Sequence, residues 1–414
     1  MEVNLEEIIQ ASKRFNGLVK HTPLELNMNL SEEYGCEVYL KREDLQLVRS
    51  YKIRGAYNLI SSLNPEEKNK GVVCASAGNH AQGVALTCNH LKIPGTIFMP
   101  KTTPRQKIEM TRKFGNSSVE IVLIGDSFDD ACKEAVEYSK RYEKTFVHPF
   151  NDERIICGQG TVGLEIMNDL KVNLDYIFVP IGGGGLVSGV GSVVKSISPL
   201  TKVIGVEPKG ATSMYESFKQ GRVVELNKID KFVDGAAVKK VGDLTYRIAK
   251  NVVDEILLVP EGEVCHRILK LYTNDAIVAE PAGALSIASL EQARDRIKSK
   301  KVVCILSGGN NDIDRLPEIK ERALVYRGLK HYFIIRFPQR AGALKEFVNK
   351  VLCNGEDITR FEYMKKHDKE NGPALVGIEL KDREDFKPLV ERMTSHGINY
   401  SKLDAEGDLY DLLI

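Results

Sequence analysis

Apolar residues fall into two textures along this chain. In one they form short unbroken runs, at 38–40, 72–75, 96–100, 119–124, 176–180, 203–206, 256–259 and 302–306, which read as strands. In the other they recur every three or four positions, at 81–90, 105–114, 128–142, 161–170 and 264–275, which reads as helices. Ahead of these, Leu5, Ile8, Ile9 and Ala11 place a first helix, followed by the turn His21-Thr22-Pro23-Leu24 and a second short helix ending at Gly35. Strands apolar throughout are buried on both faces, and their alternation with helices predicts open parallel sheets, an α/β architecture to about residue 320. That length exceeds one sheet. The strand series divides near Pro149-Phe150-Asn151, which predicts a small lobe over about 41–150 inserted in a larger lobe built from the N-terminal segment and 151–320. In such sheets ligands sit beyond the carboxyl ends of the strands, so loops that follow strands are where chemistry is sought.

The texture changes near residue 327. A strand at 331–337, a turn at 338–342, a helix face marked by Leu344, Phe347, Val348 and Val351, strands at 358–363 and 374–380, a helix at 384–395 and a last strand at 398–403 follow in the order βαββαβ. This predicts a catalytic part over 1–320, a linker over 321–329 and a ferredoxin-like module over 330–414. The module's loops carry no nucleophile, acid pair or metal spacing, which fits a regulatory or oligomerisation role.

Composition narrows the partners. The 414 residues are 43% hydrophobic and 28% charged with a net charge of +1, so there is no basic footprint for nucleic acid or anionic membrane, and a small molecule is the expected partner. The eight cysteines show no C-x-x-C and no paired histidine spacing, and most lie in apolar runs, as buried thiols of a reducing cytoplasm do. The start Met1-Glu2-Val3-Asn4-Leu5-Glu6-Glu7 is acidic where a targeting peptide would be basic, and no apolar run reaches membrane-spanning length; a cytoplasmic location is expected.

Candidate chemistry centres on Ser50-Tyr51-Lys52-Ile53-Arg54-Gly55-Ala56. Lys52 stands beside an aromatic at the head of an apolar helix pattern. A shielded amine there loses its proton more easily and becomes a nucleophile able to form a Schiff base with an aldehyde; an ordinary surface lysine is the plainer alternative. After the strand at 72–75 comes Ser76-Ala77-Gly78-Asn79-His80, where small residues opening a helix leave N–H groups bare for a carboxylate and Asn79 can hydrogen-bond a phenolic oxygen; a helix cap without ligand is the alternative. After the strand at 176–180 comes Gly182, Gly183, Gly184, Gly185 and Leu186. Four consecutive glycines cost backbone entropy and pack nothing, so a phosphate held by successive N–H groups is the best physical reason for them, ahead of a flexible loop; a dinucleotide fingerprint is not formed. The last strand delivers Ser307-Gly308-Gly309-Asn310. A serine facing a pyridine nitrogen would be a neutral partner, favouring elimination over transamination, whereas a simple turn is the alternative reading.

An amine, a phosphate cradle, a carboxylate loop and a polar strand end together describe a pyridoxal phosphate site. With Glu280-Pro281-Ala282-Gly283-Ala284 added, these motifs make the chain resemble the threonine deaminases of the fold-type II pyridoxal phosphate enzymes, in the biosynthetic form with one C-terminal ACT-like domain, over essentially its whole length. The resemblance implies a two-lobed tryptophan synthase β-like fold, with Lys52 bound to the cofactor aldehyde, Asn79 at the ring hydroxyl, Gly182, Gly183, Gly184, Gly185 and Leu186 on the phosphate, Ser307 at the ring nitrogen, and Ser76, Ala77, Gly78, Asn79 and His80 around the substrate carboxylate. It implies β-elimination of L-threonine to 2-oxobutanoate and ammonia, the first committed step of isoleucine biosynthesis. Serine would be a second substrate, since one methyl is worth about 1 kcal/mol, or about tenfold in preference.

Departures from the pattern sharpen the expectation. Tyr51 replaces the phenylalanine frequent in the family and keeps the aromatic. Related serine racemases place their second acid and base, a serine, where Ala77 stands, so racemisation is expected to be poor. Those relatives also bind a divalent ion through a Glu, a backbone carbonyl and an Asp. The matching positions here are Glu207, Ala211 and Ser213, and with the second carboxylate missing no divalent metal is expected, a weaker or monovalent ion being the alternative. The C-terminal module resembles the family's isoleucine-sensing domain at Phe337-Pro338-Gln339-Arg340-Ala341-Gly342-Ala343-Leu344 and Ile358-Thr359-Arg360-Phe361-Glu362-Tyr363, implying isoleucine as effector and a homo-oligomer, expected as a tetramer. Two other readings stand beside this one. A catabolic serine/threonine dehydratase is disfavoured by the extra module, and a cofactor-bound amino-acid sensor without turnover is disfavoured by Lys52 and Ser307.

Overall fold

The computed structural model describes residues 3–170, 173–365, 370–404, 407, 410 and 413; Met1 and Glu2, which open the acidic start, lie outside the described residues. The chain divides into two compact units, Met1–Asp312 and Ile313–Ile414.

The first unit holds two sheets. Across the larger one the strands run Leu24–Leu26, Glu37–Arg42, Lys301–Leu306, Tyr176–Pro180, Lys202–Pro208 and Glu255–Val259, parallel except for the first. The smaller one runs Val119–Leu123, Gly95–Met99, Val72–Ala75 and Thr145–Phe146, all parallel. Every apolar run read as a strand is a strand, and the inner strands are buried, with Ile177, Val179, Val203, Val303 and Ile305 in one core. Two strands lack such a run. Leu24–Leu26, expected as part of a turn, pairs antiparallel with Glu37–Arg42, and Thr145–Phe146 closes an edge of the small sheet. Segments of two or three residues carry too few positions for a period to show, and tertiary pairing makes them strands. Glu37–Arg42 belongs to the larger sheet, so residues 41 and 42, expected at the start of the small lobe, lie with the large one.

The helix expected at 161–170 spans Glu153–Asp169. Its first turns contain Gly158 and Gly160, poor helix formers that mask the pattern. The glycine has a packing reason: a Cβ on Gly158 would lie 2.5 Å from Arg54 O, so this helix touches the backbone of the helix Lys52–Ser62 and fixes where that helix starts.

The second unit has a four-stranded antiparallel sheet in the order Asp357–Tyr363, Asn371–Glu379, Lys330–Pro338 and Tyr400–Lys402, with the helices Ala343–Val351 and Phe386–Ser395 contributing to one core. The segment expected as a linker, 321–329, is largely helix. Leu316–Tyr326 is opened by Pro317 and buries Ile319 and Ala323, four positions apart on one face, a spacing that reading by strand texture passes over. The break between units therefore falls between Asp312 and Ile313, eight residues before the expected end of the catalytic part at 320. No helix among the described residues is long and apolar enough to cross a membrane.

Candidate active site

Lys52 is the first residue of its helix. The chain entering it is tied to the end of the strand Lys301–Leu306: Tyr51 N donates to Ser307 O at 3.2 Å, and Ser50 forms a bridge with Gly308. Ser50 Oγ is buried with no hydrogen-bond partner among the described residues. Lys52 Nζ donates to Pro149 O at 3.1 Å and lies 5.3 Å from the Tyr51 ring centre. Burial holds its pKa down at about 8, against an upward pull from the Glu280 carboxylate. Pro149 O and the Tyr51 ring thus flank the amine.

The glycine loop lies against the next residue of the same turn. A Cβ on Gly183 would meet the Phe150 ring at 2.1 Å, and Gly184 has φ +91°, a conformation open to glycine. Thr245 Oγ1 fastens the loop by donating to Gly183 O at 2.6 Å. The helix Gly185–Ile197 then starts with Gly185 and Leu186, whose first-turn N–H groups have no intrahelical acceptor. Lys52 and the glycine run are thus both anchored on Pro149-Phe150, although 130 residues separate Lys52 from Gly182 in sequence.

The other predicted residues arrive from two further strand ends. Asn79 opens the helix Asn79–Leu91 behind Gly78, and Ser76 Oγ accepts from Gly78 N at 3.2 Å, shaping a loop in which Ser76, Ala77, Gly78 and Asn79 keep access to solvent. His80 differs in kind. Its Nε2 pairs with Val147 O at 2.9 Å, and burial, then the Lys52 charge, pushes its pKa down to about 3, so the ring is neutral and committed to the core. Ser307 Oγ donates to Ala282 O at 3.2 Å and is buried.

Two residues with no role assigned from sequence join this group. Glu280 Oε1 accepts from Asn79 Nδ2 at 2.6 Å, and Asn310 Nδ2 donates to Asn79 Oδ1 at 2.7 Å. The available signal was a lone acid bracketed by Ala279 and Pro281-Ala282-Gly283-Ala284, a place where an unpartnered carboxylate would be costly. Of the positions considered for a metal, Glu207 spends its two oxygens on Met214 N and Tyr215 N, both at 2.8 Å, and Ala211 N donates to Pro208 O.

The donor set fits pyridoxal phosphate. It offers an amine that is neutral in part near pH 8, loop amides on residues with no side chain of their own, a buried hydroxyl and an amide side chain with a donor to spare.

Comparison with known proteins agrees. Residues 16–308 match the family model described as pyridoxal-phosphate dependent enzyme, and residues 321–413 match the C-terminal regulatory domain of threonine dehydratase. The biosynthetic L-threonine dehydratase IlvA of Halalkalibacterium halodurans is 60% identical over 100% of both chains, and that of Bacillus subtilis 56% identical over 100% of this chain and 98% of its own. Among solved structures, the processed form of threonine deaminase isoform 2 from Solanum lycopersicum superimposes with a TM-score of 0.73 at 40% identity, covering 77% of this chain and 94% of that one. With both lobes and the C-terminal unit matched along the full length, the chain belongs to the biosynthetic threonine dehydratases of the pyridoxal-phosphate dependent enzyme family.

Proposed function

We infer that this chain is a threonine ammonia-lyase that converts L-threonine to 2-oxobutanoate and ammonia for isoleucine biosynthesis. The observation that carries the reading is the full-length likeness to the two bacterial dehydratases, joined to an amine of lowered pKa anchored on the same Pro149-Phe150 pair as a bare glycine loop. Pyridoxal phosphate, when bound, supplies an electron sink conjugated with the substrate α-carbon. Gly182, Gly183, Gly184, Gly185 and Leu186 hold its phosphate through main-chain N–H groups, Asn79 hydrogen-bonds its ring hydroxyl, and Ser307 partners its ring nitrogen without adding charge. The loop Ser76, Ala77, Gly78 and Asn79 binds the substrate carboxylate at the head of the helix Asn79–Leu91, where first-turn N–H groups and the helix dipole favour an anion. His80 contributes its main-chain N–H there, since its ring is spent on Val147. Lys52 is the base: with a pKa of about 8 a useful fraction is neutral at neutral pH, and its amine takes the α-proton. Because Ala77 carries no acid or base, protonation from the opposite face is not provided, which favours elimination over racemisation.

Borohydride reduction of the cofactor-loaded protein followed by peptide mapping tests the assignment. A pyridoxyl label on Lys52 is expected, and a label elsewhere removes the site as drawn. A 2-oxobutanoate assay with threonine separates an enzyme from a sensor without turnover.

The C-terminal unit serves feedback by isoleucine in this reading. It contains a cavity of about 520 Å³ lined by residues that include Lys330, His331, Tyr332, Arg383, Phe386 and Lys402, a size common for small-molecule sites. Lys402 Nζ lies 4.6 Å from the Phe386 ring centre, so the cavity pairs a cation able to take a carboxylate with apolar surface for a branched side chain. Isoleucine should shift the threonine saturation curve of the full chain, and Lys402→Ala should blunt that shift; an unshifted wild-type curve would remove the effector. We place the working enzyme in the cytoplasm as a homotetramer. Eight cysteines outside disulfides, six of them buried, suit a reducing compartment, and light scattering measures the mass.

A further inference from the structure

We propose that Glu280 is a positioning residue for this reaction: it holds the side-chain amide of Asn79 in the one orientation that leaves an N–H group for the cofactor ring. The proposal rests on the pyridoxal phosphate reading given above.

Glu280 is the N-cap of the helix Pro281–Ala288, with extended backbone at φ −78° and ψ 163°. An acid at that place ordinarily caps its own helix by accepting from first-turn amides. Here it makes no such bond. Its carboxylate instead accepts from Asn79 Nδ2 at 2.6 Å through Oε1 and from Asn310 N at 3.2 Å through Oε2. A buried carboxylate turned away from free helix amides toward one asparagine is held for that asparagine.

The surroundings decide which way the Asn79 amide faces. Asn310 Nδ2 has Val48 O at 2.8 Å and Gln82 Oε1 at 3.2 Å, both acceptors, so a nitrogen stands at that position and the atom it approaches on Asn79 at 2.7 Å is an oxygen. Turning Asn79 over would set its oxygen against the carboxylate and its NH₂ against the NH₂ of Asn310. With Oδ1 committed to Asn310 and one Nδ2 hydrogen to Glu280, one hydrogen is left to donate. The backbone makes room for this arrangement. Gly308 would place a Cβ 2.3 Å from Glu280 Oε1, its carbonyl accepts from Glu280 N at 3.2 Å, and it bridges to Ser50 just ahead of Lys52. Lys52, Tyr51, Lys107 and Asp234 are the charged or titratable groups whose fields reach this carboxyl or feel its own.

The test is a double-mutant cycle on cofactor binding, read by fluorescence titration and by the visible spectrum, with thermal midpoints of the cofactor-free proteins as the control for folding. Glu280→Gln keeps shape but can satisfy only one of the two donors. We expect it to raise the pyridoxal phosphate Kd about tenfold and to move the absorption band, with the cofactor-free midpoint little changed. In the Asn79→Ala background the same substitution should change Kd less than twofold, because its target is gone. An equal factor in both backgrounds, or an unchanged Kd and spectrum in the wild-type background, overturns the proposal while leaving the function in place. Should Glu280→Gln not fold, Glu280→Asp, which draws the carboxylate back from Asn79, enters the same cycle with the same expectation and the same overturning result. Wild-type protein that takes up no cofactor overturns the functional reading and this proposal together.

Discussion

Arg54 grips Glu165 with two parallel bonds, Nη1 to Oε1 at 2.7 Å and Nη2 to Oε2 at 2.9 Å, joining the Lys52 helix to the helix Glu153–Asp169. On the other side Arg54 holds Glu43, Nε to Oε2 at 2.8 Å and Nη2 to Oε1 at 2.7 Å, and Lys41 Nζ stands 2.6 Å from Glu165 Oε2. Two cations and two anions meet here, with the part-exposed Asp169 a further carboxylate 3.9 Å from Lys41 Nζ, and Arg54, Lys41 and Glu43 have no solvent exposure. Glu165→Ala should therefore leave an excess of buried positive charge and cost about 3–5 kcal/mol of stability. Burial alone would raise the Glu165 pKa, but Arg54 and Lys41 outweigh it and the net shift is downward. A carboxyl whose folded pKa lies below its unfolded 4.5 stabilises the native state above 4.5, and that contribution is lost as pH falls through the folded value. Urea titrations should show the wild type losing stability below pH 4.5 more steeply than Glu165→Ala. A loss under 1 kcal/mol would mean that the cluster behaves as surface pairs do.

Gly183→Ala should damage cofactor binding more than Gly185→Ala. Its Cβ would collide with the Phe150 ring at 2.1 Å, whereas one on Gly185 would meet Phe150 Cβ at 3.1 Å, a contact that a small shift relieves. Since Pro149, the residue before Phe150, accepts from Lys52 Nζ, pushing Phe150 aside disturbs the cradle and the amine together. Equilibrium titration with pyridoxal phosphate should give a Kd raised at least tenfold for Gly183→Ala and less for Gly185→Ala. Reversed ranks would show that the loop is not the phosphate seat.

The lowered pKa of Lys52 has two consequences of definite sign. In the cofactor-free protein the reactive neutral amine accumulates as pH rises through about 8, so the rate of reaction with pyridoxal phosphate should rise with a midpoint near 8, well below the 10.5 of an ordinary lysine. Between those two values the unfolded chain binds the proton that the native chain has released, so this residue's contribution to stability increases with pH across that window. Below pH 8 the native state carries a shielded charge, and Lys52→Met should raise the thermal midpoint of the cofactor-free protein at pH 7. That gain should shrink above pH 10, and a gain constant from pH 7 to 10.5 would contradict the shift.

What could be read from the chain, and what could not, follows from how local each signal is. Runs such as Val72–Ala75 and Tyr176–Pro180 announce buried strands because the cause, burial on both faces, acts on each residue in turn. Leu24–Leu26 exists only because Glu37–Arg42 lies beside it, and nothing inside three residues carries that fact. Lys52, Asn79, the glycine run and Ser307 are legible since each departs from its local context, a cation in an apolar pattern or bare backbone before a helix. Glu280 acts on Asn79 across 201 positions, and the quartet Lys41, Glu43, Arg54 and Glu165 balances only once two helices and a strand have met. The sequence groups the His80 ring with its loop, but the first turn of its helix is buried and the ring pairs with Val147 O.

Glu207 gives the last prediction, which concerns a metal. Both its oxygens accept main-chain amides, from Met214 and Tyr215 at the head of the helix Ser213–Gln220, and burial pushes its pKa up to about 8 while those same bonds pull it down. A carboxylate so engaged has little left to offer a cation, and Ala211 and Ser213 bring no second carboxylate. Dialysis against EDTA should leave the thermal midpoint and the threonine activity of the holoenzyme unchanged. Glu207→Gln, in contrast, sets an NH₂ against one of two amide donors and should cost about 1–3 kcal/mol. The loss should reach the cofactor, because Met214 packs under the glycine loop, its Cε 2.7 Å from where a Gly184 Cβ would stand. A midpoint that falls on chelation and recovers with Mg²⁺ would show instead that Glu207 is a ligand and that the helix amides are secondary to an ion.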